Sequence, residues 1–183
     1  HNLAAIETMV KGASEAARAL ARAGVVTLEP ESPVTKTGPV SAPKTLNPTQ
    51  QAACDQIAAG IESRACLPFL LQGGTGSGKT EVYLRSIDAA LAAGRSALLL
   101  VPEIALTPAV AGQFYQRFGD KVAILHSAFH DAERAEQWRR IRAGQARVVV
   151  GTRSGVFAPV QELGLIVVDE EHDQSYKQQE NPR

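Results

Sequence analysis

Lys79 and Thr80 close the run Gly73-Gly74-Thr75-Gly76-Ser77-Gly78-Lys79-Thr80, which fits the phosphate-binding pattern G-x-x-x-x-G-K-[ST]. Gly73, Gly76 and Gly78 let the backbone wrap tightly, so that its amides turn toward phosphate oxygens. The helix that starts near Lys79 adds its positive end. Lys79 contributes a point charge to the β- and γ-phosphates, and the Thr80 hydroxyl is a magnesium ligand. Far downstream stands Asp169-Glu170-Glu171-His172, led by the apolar run Leu165-Ile166-Val167-Val168. A carboxylate where a buried strand emerges can hold magnesium, directly or through water. Glu170, one residue on, can polarise an attacking water. Together they are the two halves of nucleoside triphosphate hydrolysis.

These residues need a scaffold that brings them together. Apolar runs at Leu67–Leu71, Ala97–Val101, Val122–Leu125, Val148–Val150 and Leu165–Val168 are short and continuous, as in strands buried on both faces of a parallel sheet. Helical stretches are predicted at 49–63, 79–93, 107–118 and 131–143. Thr107 and Asp131 are expected N-caps, and Gly94, Gly119 and Gly144 mark helix ends. The alternation predicts a three-layer α/β sandwich with a mainly parallel sheet and right-handed crossovers. Pro68-Phe69-Leu70-Leu71 is the strand expected to lead into the phosphate loop.

The chain has 183 residues, 44% of them hydrophobic, which suffices for a domain with a sizeable core. Its 19 basic side chains are balanced by 19 acidic ones, so the overall charge of a nucleic-acid binder is absent. A local groove needs only local basic groups and amides. Arg134, Arg139, Arg140 and Arg142 are offset by Asp131, Glu133 and Glu136, which reads as a solvated helix face. Cys54 and Cys66 form no metal-binding pattern and are expected to be reduced thiols packed as small apolar groups. A reducing cytosol suits them, and no apolar stretch reaches membrane-spanning length.

Residues 31–48 hold Pro33, Pro39, Pro43 and Pro48, with Gly38 and many small polar residues, a composition that does not hold a regular helix or central strand, and 31–45 reads as a linker. It separates a small piece, 1–30, from the larger 46–183. In the small piece Ser14 is an expected cap for a helix through Arg22. Gly24 would end that helix, and Val25-Val26-Thr27-Leu28 reads as a short strand. That succession suits either the end of a winged-helix unit or a solvated helix and hairpin. The chain opens on His1 and stops at Arg183 soon after the acidic box, which predicts a portion of a longer protein.

Asp-Glu-x-His after an apolar strand and downstream of a phosphate loop resembles superfamily 2 helicases. Further runs resemble the replication restart helicases of the PriA type in particular. They are Val101-Pro102-Glu103-Ile104-Ala105-Leu106-Thr107-Pro108, Leu125-His126-Ser127, and Gly151-Thr152-Arg153-Ser154-Gly155-Val156-Phe157-Ala158-Pro159, with the acidic box and aromatic-rich loop of Asp169–Arg183. The resemblance covers about 46–183, and 1–30 is similar to the end of that family's winged-helix domain. It implies a RecA-like first motor lobe of an ATP-dependent, 3′→5′ DNA helicase that reopens stalled forks for primosome assembly.

By the same resemblance Gln50 reads the adenine ring, although it also suits a polar first turn of a helix. Thr107, Gly151, Thr152, Arg153 and Ser154 grip the phosphodiester backbone of the tracking strand, or else serve as an N-cap and a tight turn. Tyr176 stacks on a base, Lys177 pairs with a phosphate, and His172 couples the two sites. The implied cofactors are ATP and Mg²⁺, with Zn²⁺ confined to a cysteine-rich insert outside this chain. The arginine that stabilises the transferring phosphate belongs to a second lobe, so weak hydrolysis by this chain alone is expected. Implied partners are single-stranded and forked DNA, primosome proteins and single-stranded DNA-binding protein, in the bacterial cytoplasm at the nucleoid and not at a membrane. The wording of the 101–108 and 151–159 runs argues against another superfamily 2 DNA translocase. Intact Lys79, Thr80, Asp169 and Glu170 argue against a non-hydrolysing DNA-docking scaffold.

Overall fold

Four short runs, Ser96–Leu100 (β1), Val122–Leu125 (β2), Val148–Gly151 (β3) and Leu163–Val168 (β4), pair into one sheet in the order β2-β3-β1-β4. Every pairing is parallel. The structure, a computed structural model, describes residues 13–25, 45–74, 76–126 and 129–177. Outside them fall Val26–Leu28 of the expected strand, most of the linker, Thr75, Ser127 and the residues after Lys177. The chain divides into two compact units, 1–35 and 36–183.

In the first unit a helix, α1, runs over Ala13–Arg22, so Ser14 lies within it and not at its start. In the second unit the helices are α2 (Pro48–Ser63), α3 (Lys79–Ala92), α4 (Pro108–Phe118) and α5 (Asp131–Arg142), each within a residue of the predicted bounds. Asn47 caps α2 by accepting from the Gln50 N–H, and the Gln50 side chain accepts in return from the Asn47 N–H. Thr107 caps α4 as expected, its hydroxyl accepting from the Val110 N–H at 3.3 Å. The N-cap of α5 is His130, with Asp131 as its first helical residue. The Glu133 carboxylate accepts from the His130 N–H at 3.2 Å, so the carboxylate one turn later does the capping. Gly94, Gly119 and Gly144 follow their helices with positive φ, where a Cβ would be strained.

β1, β2 and β3 are buried throughout, which is why they read as unbroken apolar runs. Leu98, Leu100, Ala123, Leu125 and Val149 form one face of the core with Ile141 of α5. The alternate residues Ala97, Leu99, Ile124 and Val150 are as deeply buried. Helices α3 and α4 contact β1, β4 and β2 and contribute the buried Val82, Ile87 and Phe114. This layering is the predicted α/β sandwich.

The structure departs from expectation ahead of the phosphate loop. Leu67–Leu71 makes no ladder and is largely exposed. Pro68 lacks an N–H, which weakens any pairing there. The Phe69 ring instead lies over Gly60 of α2, 3.1 Å from where a Cβ would stand, with Leu67 beside it. β4, paired only with β1 among the described strands, accordingly leaves Ile166 and Val168 exposed. Cys54 is buried, and burial raises its thiol pKa, but Cys66, just ahead of this stretch, is exposed and not packed as expected.

Ile141 is fully buried where α5 meets the sheet. Ile141→Ala is expected to lower unfolding free energy by about 2–5 kcal/mol, measured by urea denaturation.

Candidate functional site

The phosphate loop meets the carboxyl end of the sheet because α3 packs against both β1 and β4. Val168 of β4 pairs with Leu100 of β1, and the Asp169 N–H continues the ladder by donating to the Leu100 carbonyl at 2.9 Å. Asp169 therefore leaves the sheet beside the N-terminus of α3. A cavity of about 620 Å³ opens between them, lined by Gly74, Gly76–Thr80, Asp169 and Glu170. Residues far apart in sequence thus share one concave site.

The loop's polar groups answer one another. Lys79 Nζ donates to the Gly73 carbonyl at 2.7 Å and stands 4.0 Å from Glu170 Oε1. Gln50 Nε2 donates to the Ser77 carbonyl at 2.8 Å, which ties the first turn of α2 to the loop. Gly78, the N-cap of α3, has φ 84°, and a Cβ on it would lie 2.5 Å from Gln50 Nε2. Thr80 is exposed at the cavity.

Asp169 is held at two points. Tyr83 of α3 donates its hydroxyl to Asp169 Oδ1 at 2.9 Å, and the Glu170 N–H donates to the same oxygen at 3.1 Å. Tyr176 donates its hydroxyl to the Asp169 backbone carbonyl at 2.9 Å. Burial, with the Asp169 charge adding to it, raises the Tyr83 phenol well above its ordinary value and pushes Tyr176 up to about 12. Both phenols are therefore protonated donors at neutral pH. Glu170 has φ 47°, a left-handed conformation that costs a non-glycine residue about 1–3 kcal/mol and tends to cluster at functional sites. Exposed His172 sits between two carboxylates, 3.5 Å from Glu170 and 3.8 Å from Glu171.

The residues fit a hard divalent cation. Thr80 and Asp169 bring oxygen donors to one cavity, and among the described residues no hydrogen bond is made to Asp169 Oδ2. The glycine amides and the N-terminus of α3 suit phosphate anions.

Of the residues expected to touch a nucleic-acid backbone, Thr107, Arg153 and Ser154 are exposed and Thr152 is half-buried. They follow β1 and β3, the two adjacent central strands, at the carboxyl end of the sheet. Gly151 is different: it is buried at the end of β3, its carbonyl accepts from the Val101 N–H, and a Cβ there would be 3.1 Å from the Leu125 Cβ. Its position is one of close packing. Arg153 Nη1 donates to the carbonyl of exposed Lys177 at 3.1 Å, joining the 151–154 turn to the segment after the acidic box. Tyr176 is half-buried, with its ring against the Leu98–Leu100 side of the core. Sequence reasoning missed Tyr83, which lies one helical turn beyond Lys79, and Gln113, Gln116 and Arg117, which line the cavity at helical spacing on α4. The periodicity of those elements was the available signal.

Comparison with known proteins agrees with this geometry. The DEAD/DEAH box helicase family matches residues 47–182, and the chain belongs to that family. Its parallel sheet is that of a RecA-like helicase domain. Within the family it is 49% identical over 141 residues to the replication restart protein PriA of Bacillus subtilis, covering 77% of this chain and 18% of that protein. The corresponding PriA of Chlamydia pneumoniae is 48% identical over 141 residues (77% of this chain, 19% of that protein). That of Treponema pallidum is 49% identical over 138 residues (75% and 20%). The resemblance to PriA-type proteins read from the motifs is thus borne out. The chain spans about a fifth of the length of these curated relatives. Among the described residues no helix is long and apolar enough to cross a membrane.

Gly78→Ala would force a left-handed alanine, at about 1–2 kcal/mol, and displace Gln50 from Ser77. ADP affinity should fall roughly tenfold by calorimetry, with helical circular dichroism unchanged.

Proposed function

We propose that residues 46–183 form the ATP-binding first motor lobe of a DNA helicase of replication restart, which moves 3′→5′ on single-stranded DNA and opens stalled forks. The observation that carries this reading is the convergence of Lys79, Thr80, Asp169 and Glu170 on one cavity. Lys79 would exchange the Gly73 carbonyl for phosphate oxygens, and the loop amides would hold the remaining phosphate charge. Thr80 and Asp169 would hold Mg²⁺, which when bound neutralises charge on the phosphates. Glu170 orients the attacking water and accepts its proton, and its position near Lys79 keeps it beside the reacting phosphate. Gln50, already on the loop, reads the adenine.

Thr107, Thr152, Arg153 and Ser154 grip the tracking strand through its phosphates, a mode that needs hydroxyls and a guanidinium but reads no base. Gly151 lets that turn lie close to β2. Lys177 joins them at the phosphates. Base stacking by Tyr176 competes with its bond to the Asp169 carbonyl, which supports a link between DNA occupancy and hydrolysis in which His172 also takes part. The similarity to PriA proteins supports fork DNA, primosome proteins and single-stranded DNA-binding protein as partners, and a cytoplasmic, nucleoid-associated setting. A winged-helix origin for 1–30, ahead of a 31–45 linker, rests on the order of helix, glycine and strand signals in the sequence, because the family match covers 47–182.

ADP·Mg²⁺ should bind the chain, and Lys79→Ala should abolish that binding in calorimetry. Binding by neither protein would favour a docking scaffold instead. Arg153→Ala should reduce the salt dependence of single-stranded DNA binding by roughly 0.7 in log–log slope, read by fluorescence anisotropy.

A further inference from the structure

Asp169 must offer an oxygen to a cation, yet a carboxylate turns easily about its last torsion, where the energy wells are broad. Something has to choose which oxygen faces the cavity. Two donors converge on Oδ1: the Tyr83 hydroxyl at 2.9 Å and the Glu170 N–H at 3.1 Å. Among the described residues none donates to Oδ2. We propose that Tyr83 is a positioning residue that locks the Asp169 carboxylate with Oδ2 presented to magnesium. The proposal rests on the nucleotide-site reading above and assigns it a further residue.

The placement of Tyr83 supports this role. It lies on α3 one turn beyond Lys79, so one rigid helix carries the phosphate-binding ammonium, the Thr80 hydroxyl and the hydroxyl that orients Asp169. Its ring is half-buried, which restricts where the hydroxyl can point. The second donor, the Glu170 N–H, belongs to the adjacent residue in a left-handed conformation and turns with the acidic box itself. Tyr83 is the donor that refers Asp169 to the phosphate loop. The Tyr176 bond fixes the backbone carbonyl of Asp169 and leaves its side chain untouched. Donors of this kind behind a metal-binding carboxylate typically change metal affinity by about 10–100-fold.

Tyr83→Phe keeps the ring and deletes the donor. On the 183-residue chain, ADP binding is measured by calorimetry with Mg²⁺ and with chelator, and the ratio of the two affinities is the readout. Tyr83→Phe is expected to leave metal-free ADP affinity within about twofold and to cut the magnesium-dependent gain by about tenfold or more. Asp169→Asn, run beside it, should lose that gain. An unchanged gain in Tyr83→Phe would overturn the proposal. So would an equal loss with and without magnesium, which would mark a purely structural tyrosine. Absence of ADP binding by the unsubstituted chain would sink the nucleotide-site reading itself, and the proposal with it.

Discussion

The parallel register between β1 and β4 is the constraint on which the site depends. Leu100 pairs with Val168, and the next amide, that of Asp169, still bonds back to the Leu100 carbonyl. A slip of one residue would turn Asp169 to the opposite face of the sheet, away from the loop and α3. The same register carries the burial of Leu98 and Leu100, so core packing and site geometry are enforced by one set of contacts. Chemistry here is positioned by hydrophobic alignment, and the polar residues inherit their places from it.

The phosphate loop satisfies its own polar groups with bonds that an anion can replace. The Lys79 ammonium on Gly73 and the Gln50 amide on Ser77 are neutral-acceptor bonds on a largely exposed loop. A charged acceptor holds an ammonium more strongly than a neutral carbonyl does, so the Lys79 bond to Gly73 is one that an anion at the loop would replace without dismantling the fold. The strained Glu170 stands next to this loop, held by the Asp173 N–H on its carbonyl. Asp173 in turn accepts from the Ser175 N–H, which lowers its carboxyl pKa and closes the turn that leads to Tyr176. The acidic box and the segment beyond it are thus one hydrogen-bonded unit. Arg153 reaches that unit from the neighbouring strand end.

The chain alone determined whatever depends on nearby residues. The helices to within a residue of their bounds, the cap at Thr107, the left-handed glycines after three helices and four of the five apolar strands all follow from interactions within a few positions. The phosphate loop is legible for the same reason, because its chemistry is written in consecutive residues. Where a local rule had two solutions, sequence reading chose less well. Asp131 and His130 both suit the start of α5, and the Glu133 carboxylate decided between them.

Tertiary structure decided what depends on partners distant in sequence. Leu67–Leu71 has the composition of a strand, but an apolar run does not name its neighbour, and here Phe69 meets Gly60 while Pro68 weakens pairing. Tyr176 could face solvent or core with equal local plausibility; a core surface built by three strands took its ring. Tyr83 and Asp169 are separated by 86 positions and meet only because α3 packs on β4. Local chemistry is encoded by adjacent residues whose energies sum within one element. Contacts between elements are set by burial and register across the whole sheet, which only the folded chain makes definite.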